Sequence, residues 1–193
     1  ALTEKTIKLD STRGNIYDKN GNILAYNELS YNVTIQDNGD YAKSNDKNRM
    51  LLELVRILYR HGEAVEGEFS IGFDSSGKMV YTTTSESSRK RFIADFYGLR
   101  STSDLDDEEG KYPSAITPRE MFEKRVTYYG LDKLKDENGN LIEITDEEAL
   151  GIINIRYTMG FTAYRKYEST TVATNVSKET MTDVLENSAE LKG

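Results

Sequence analysis

The chain has 193 residues, 37% of them hydrophobic, with a formal net charge of −8, one histidine and no cysteine. That length fits one domain or two small ones. The acidic balance argues against a nucleic-acid partner and against docking on an anionic membrane, and the missing cysteines exclude a disulfide framework and a thiolate metal site.

From the amino end, Leu2 to Leu9 alternates loosely, as a strand or the exit from a membrane helix would. Arg13 to Ala25 follows, with Asp18-Lys19-Asn20-Gly21 at its centre. Asn-Gly tolerates positive φ at both positions, which predicts a tight, twisted hairpin turn between Ile16-Tyr17 and Ile23-Leu24. Arg13 brings a planar fork of donors suited to a carboxylate or carbonyl groups, and Gly14 allows another backbone to approach closely.

Over Leu29 to Gln36, Tyr31, Val33 and Ile35 alternate with Asn32, Thr34 and Gln36, which predicts a half-buried strand. Asn38 to Asn45 is polar and turn-rich, and Ser44 or Asn45 is placed to cap the helix carrying Leu51, Leu54, Val55 and Leu58. Gly62 ends that helix, and His61 in its last turn reads as a solvated residue favouring the helix's negative end. Two strands, 69–73 and 79–81, flank Asp74-Ser75-Ser76-Gly77. A helix from about Glu86 to Tyr97 presents Phe92, Ile93, Phe96 and Tyr97, and Gly98 ends it.

The acidic run Asp104, Asp106, Asp107, Glu108 and Glu109 reads as a solvated loop. Thr117-Pro118-Arg119-Glu120 combines an N-cap, a proline at the first position and a capping-box glutamate. It starts a helix burying Phe122, Val126 and Tyr129 and stopped by Gly130. Asp136-Glu137-Asn138-Gly139 predicts a second hairpin-type turn. Thr145-Asp146-Glu147-Glu148 opens a helix through Ile152, Ile153 and Tyr157 toward Gly160. Glu168 to Thr174 reads as a strand, and Ser177 caps a last helix with Met181, Val184 and Leu185 facing inward. The whole is of the α+β class, since nothing calls for a parallel βαβ array.

The sequence Arg-Gly-x-Ile-x-Asp-Lys-Asn-Gly-x-x-Leu-Ala over 13–25 resembles the first motif of the class B penicillin-binding proteins, in their non-catalytic N-terminal module. The family usually has Arg at the place of Lys19 and often Pro at the place of Thr12. The stretch from Val172, with Glu186 and Leu191-Lys192-Gly193 beyond it, resembles the strand and helix that close the same module. The resemblance is good over 12–36 and 165–193 and weak between them. It implies an anchor subdomain made of 1–45 and 165–193, with a head subdomain, 46–164, inserted. It also implies a membrane anchor before Ala1, a transpeptidase domain beyond Gly193 and a place on the outer face of the cytoplasmic membrane. The long insert and the helix ending in Arg165-Lys166-Tyr167 look more like the elongation branch than the division branch.

On this reading the module is not catalytic. It positions a transpeptidase that cross-links peptidoglycan and binds proteins of the elongation or division machinery, with a homodimer as a further partner and no cofactor. Residues for interdomain docking are Arg13, Gly14, Ile16, Asp18, Asn20 and Gly21, with Glu186 as an acidic partner for Arg13. Ile16, Tyr17 and Ile23 are expected to be left exposed.

Two rival readings come from other classes. One is an autonomous serine acyl-enzyme, for which Ser44-Lys47, Ser75-Lys78 and Ser87-Lys90 have the Ser-x-x-Lys spacing. Ser30-Tyr31-Asn32 has the Ser-x-Asn spacing but falls in the predicted strand, and there is no Lys-Thr-Gly. The other is a free-standing cell-surface binding module. Calcium loops are not supported: EF-hand alignments on Gly21 or Gly139 put Ile16 or Leu134 first and Asn27 or Thr145 last. The single His61 cannot supply a zinc set.

Overall fold

The computed structural model describes residues 16–25, 31–36, 44–163 and 168–187. In order these are β1 (Ile16–Tyr17), β2 (Ile23–Ala25), β3 (Tyr31–Ile35), α1 (Ser44–Arg60), β4 (Ile71–Phe73) and β5 (Met79–Tyr81). Then come α2 (Glu86–Tyr97), α3 (Pro118–Tyr129), α4 (Asp146–Thr162), β6 (Thr170–Val176) and α5 (Lys178–Glu186), with short 3-10 turns after α2 and α3. The strands pair as three antiparallel two-stranded sheets, β1–β2, β3–β6 and β4–β5. With five helices beside them among the described residues, the class is α+β, as the sequence indicated.

Helix α4 is the centre of the packing. Ala149, Leu150, Ile152, Ile153, Ile155 and Tyr157 are all buried, so the helix is covered on several sides. It contacts α1, α3 and β6. Helix α1 is amphipathic and buries Leu51, Leu52, Leu54, Val55, Ile57 and Leu58. Its approach to α4 is close because Gly151 has no side chain: a Cβ there would lie 2.8 Å from Tyr59 Oη and 2.9 Å from Val55 Cγ1. Arg56 Nε donates to Glu148 Oε1 at 2.8 Å across the same seam.

Strands β3 and β6 join segments far apart in the chain. Tyr31 faces Val176, Val33 faces Ala173 and Ile35 faces Thr170, with register shifts between them. Asn175 takes a left-handed φ of 53° within the shifted stretch, and its N–H donates to Asn32 Oδ1. Tyr31, Val33 and Ile35 are buried and join the same apolar cluster as α1 and α4. The period-two alternation read from the sequence is therefore the real face of the strand.

The helix ends follow local chemistry. Thr117 and Thr145 both close full capping boxes, with Glu120 and Glu148. Ser85 and Ser177 cap α2 and α5, and Gly98 and Gly130 end α2 and α3 in the left-handed region.

Three expectations need correction. Ser44 and Asn45 do not cap α1; they lie inside its first turn. The Ser44 hydroxyl donates to Tyr129 O, and Asn45 exchanges hydrogen bonds with the backbone of Lys135. Both are recruited by the end of α3 and the loop after it. Leu185 is 42% exposed rather than inward-facing, because α5 rests on Thr180 and Val184. His61 is not simply solvated: its Nε2 lies 2.8 Å from Asp183 Oδ2 on α5.

Candidate functional site: the Ile16–Ala25 hairpin and the closing helix

The predicted turn forms with a different geometry. Gly21 alone is left-handed, at φ 81°; Asn20 is not among the residues with positive φ. Gly21 N–H donates to Asp18 O at 3.0 Å and Asp18 N–H to Asn22 O at 2.8 Å. This is a three-residue loop, a type I turn closed by a glycine bulge, rather than a two-residue turn. The cause is Asp18. Its Oδ1 accepts from the N–H groups of Asn20 and Asn22, both at 2.8 Å, and its Oδ2 from the Asn22 amide. These bonds fix a right-handed turn before the glycine and hold the Asp18 carboxyl below its ordinary pKa, the Asn22 side chain contributing most.

The same loop occurs twice more. Asp74 accepts from the N–H groups of Ser76 and Lys78, and Asp136 from those of Asn138 and Asn140. Gly77 and Gly139 take φ values of 81° and 82°. Aspartate, two polar residues, glycine is therefore this chain's general hairpin solution. What distinguishes the first copy is its surroundings: Ile16, Tyr17 and Ile23 are 60%, 55% and 55% exposed. A hairpin presenting three large apolar side chains to solvent has the composition of a contact surface.

Of the docking residues read from the sequence, Ile16, Asp18, Asn20 and Gly21 thus lie together on this hairpin. Arg13 and Gly14 lie outside the described residues, as do Leu2 to Leu9, Asn38 and Arg165-Lys166-Tyr167. Glu186 is exposed at the last position of α5.

Helix α5 is held at both ends. The carboxylate of Glu63, just after α1, accepts from Ser177 N–H and Thr180 Oγ1 at its start. At its other end Asp183 accepts from Arg60 Nη2 at 2.9 Å as well as meeting His61, and Asn187 folds back onto it. Neither Glu63 nor Asp183 stood out in the sequence. The one available signal was the histidine, whose partner is 122 residues away.

The Ser-x-x-Lys spacings fall in three settings. Ser75 and Lys78 belong to the β4–β5 turn, where Lys78 N–H is bound by Asp74. Ser87 is exposed on α2, and Lys90 pairs with Glu86 at 3.3 Å. Ser44 and Lys47 share the first turn of α1, but the Ser44 hydroxyl donates to Tyr129 O and accepts from Arg156 Nη1 at 2.8 Å. Among the described residues no group of three or more His, Cys, Asp or Glu side chains is disposed to hold a metal ion. No described helix is long and apolar enough to cross a membrane.

Small antiparallel sheets on a helical core, with the polar side chains of turns, caps and inter-helix ties engaged with one another, define an α+β module. Residues 8–193 match the family described as the penicillin-binding protein dimerisation domain. The chain belongs to that family, whose domain is a non-catalytic module of penicillin-binding proteins. A comparison with curated proteins gives no match.

Proposed function

We propose that this module is the pedestal of a class B penicillin-binding protein, holding a transpeptidase domain at a set position outside the cytoplasmic membrane. The observation that carries the reading is the exposure of Ile16, Tyr17 and Ile23 on the Asp18-Lys19-Asn20-Gly21 hairpin, within the segment that resembles the family's first motif. Burying the exposed half of three such side chains against a neighbouring domain would contribute roughly 1–1.5 kcal/mol each, about half the value for full burial. Arg13 and Gly14 immediately precede the hairpin, and Arg13 supplies donors for a carboxylate or carbonyl set on the docked domain or for Glu186. The flanking segments 1–45 and 165–193 form the anchor part and 46–164 the head. The module itself performs no acyl transfer; its remaining surface receives proteins of the elongation machinery, or a second copy of the chain.

The test uses a chain that carries the module and its transpeptidase domain. Arg13→Ala, and separately Ile16→Ser with Ile23→Ser, should lower the cooperativity of unfolding between the two parts and slow acylation by a fluorescent penicillin. Unchanged unfolding and unchanged acylation in both variants would remove the docking role. Covalent labelling of residues 1–193 alone would favour the acyl-enzyme reading instead.

A further inference from the structure

Among the described residues, three buried side-chain nitrogen or oxygen atoms have no hydrogen-bond partner: Arg49 Nε, Arg125 Nε and Tyr157 Oη. The first belongs to a guanidinium that pairs with Asp46 and Glu137 at 3.7 and 3.8 Å. The other two have no such explanation, and both residues line one cavity of about 390 Å³ between α3 and the end of α4. A volume of that order is within the range of small-ligand sites.

The Arg125 guanidinium is held by ring faces rather than by acid. It lies 4.6 Å from the centroid of Phe96, 5.0 Å from Tyr128, 5.2 Å from Tyr157 and 5.9 Å from Tyr129. One Nη donates to Phe96 O at 3.0 Å. No described carboxylate forms a salt bridge with it. The acid on the cavity wall, Asp95, is engaged by Arg91 at 2.6 and 3.1 Å. Tyr157 is 6% exposed. Burial pushes its hydroxyl pKa up to about 12, so it remains a proton donor through the physiological range. Two residues that each carry an unpartnered donor therefore contribute to the lining of one cavity. At the mouth, Tyr128 and Phe161 are 74% and 46% exposed, and would flank the apolar part of whatever enters. Arg156 adds a second guanidinium to the lining.

We propose that this cavity binds an organic carboxylate with an apolar flank, such as the free end of a short peptide or an acidic sugar, its oxygens accepting from Arg125 and Tyr157. An ionised carboxylate only accepts, its two oxygens match a planar guanidinium, and its organic flank suits the aromatic mouth. Leaving a buried donor unpaired is costly, so this pair of orphan groups is the kind of local cost that a ligand site carries. The proposal does not depend on the hairpin's docking role.

The test is amide and ring-proton NMR of the 193-residue chain titrated to millimolar levels with three probes. These are acetyl-Ala-Leu with a free carboxylate, the same dipeptide as its amide, and N-acetylmuramic acid. One acid or both should move the resonances of Tyr128, Gly160 and Phe161, and which of them does so identifies the source. The amide and the Arg125→Met variant should bind at least roughly tenfold more weakly. Tyr157→Phe provides a readout without ligand: thermal stability should be unchanged or raised while binding falls. Equal shifts with acid and amide, shifts confined to other surfaces, or no shift with any probe would overturn the proposal. None of these outcomes bears on the coupling measured with the hairpin variants.

Discussion

His61 Nε2 and Asp183 Oδ2 are 2.8 Å apart, tying the residue after α1 to the last turn of α5. The Asp183 carboxyl is held below its ordinary value of 3.8, most strongly by the His61 hydrogen bond; desolvation opposes this, and Arg60 adds to the lowering. The folded value lies below the unfolded one, so the stabilisation is present above pH ~4 and is lost as pH falls through the depressed native value. Asp183→Asn should therefore lower the Tm at pH 7 by roughly 2–4 °C. The gap to wild type should close as both are acidified below pH ~4. Circular dichroism melts from pH 7 to pH 2 measure it; a gap that does not narrow would mean that ionised Asp183 contributes nothing.

Two glycines of α4 should respond in opposite directions to alanine. Helix propensity favours alanine by up to about 1 kcal/mol inside a helix. At Gly160 a new Cβ has nothing within 4 Å, so that gain should appear, reduced by the nearby helix end. At Gly151 it would meet Tyr59 Oη at 2.8 Å and Val55 Cγ1 at 2.9 Å, forcing α1 and α4 apart. Gly151→Ala should destabilise by about 1–3 kcal/mol in urea unfolding. A stabilised Gly151→Ala would disprove the close α1–α4 approach.

The two capping boxes offer matched tests. Thr117 Oγ1 accepts from Glu120 N–H at 3.2 Å and Thr145 Oγ1 from Glu148 N–H at 3.1 Å. Thr117→Ala and Thr145→Ala should each cost about 0.5–2 kcal/mol. Thr145 should lie toward the upper end. Its box partner Glu148 also holds Arg56 at 2.8 Å, so a loosened helix start disturbs the tie to α1. Chemical denaturation of the two variants should rank them in that order.

Burial separates two aliphatic residues that the sequence makes look alike. Ile152 is fully buried at the centre of α4, whereas Leu185 is 42% exposed on α5. Ile152→Ala should cost about 2–5 kcal/mol. Leu185→Ala should stay within about 0.5 kcal/mol, as surface replacements do. A large loss at Leu185 in the module alone would show that its side chain is covered.

Much of the architecture was legible because it is set by residues close in sequence. The limits of α2 agree with the predicted Glu86 to Tyr97, since Ser85 and Gly98 cap it. The alternation at Tyr31, Val33 and Ile35 gave the buried face of β3. The hairpin over Asp18 to Gly21 was found, but its turn type was misjudged. Asn-Gly is equally compatible with two turn classes, and the Asp18 side chain, bonded two and four residues on, selects between them. Ser44 was misread for the opposite reason. As a sequence it is a cap, yet a carbonyl 85 residues away takes its hydroxyl.

By itself, then, the amino-acid order determined where the capped helices α2, α3, α4 and α5 begin, which face of β3 is apolar, and that the chain carries a penicillin-binding-protein motif. Those properties rest on capping bonds, turn conformations and periodicity that act over four or five residues. The tertiary structure alone decided the pairing of Asp183 with His61, the Gly151 contact and the placing of Arg125 over the Tyr157 ring. Each joins groups from different helices. Whether they meet is fixed by how α1, α3, α4 and α5 pack, a collective outcome that no local stretch encodes.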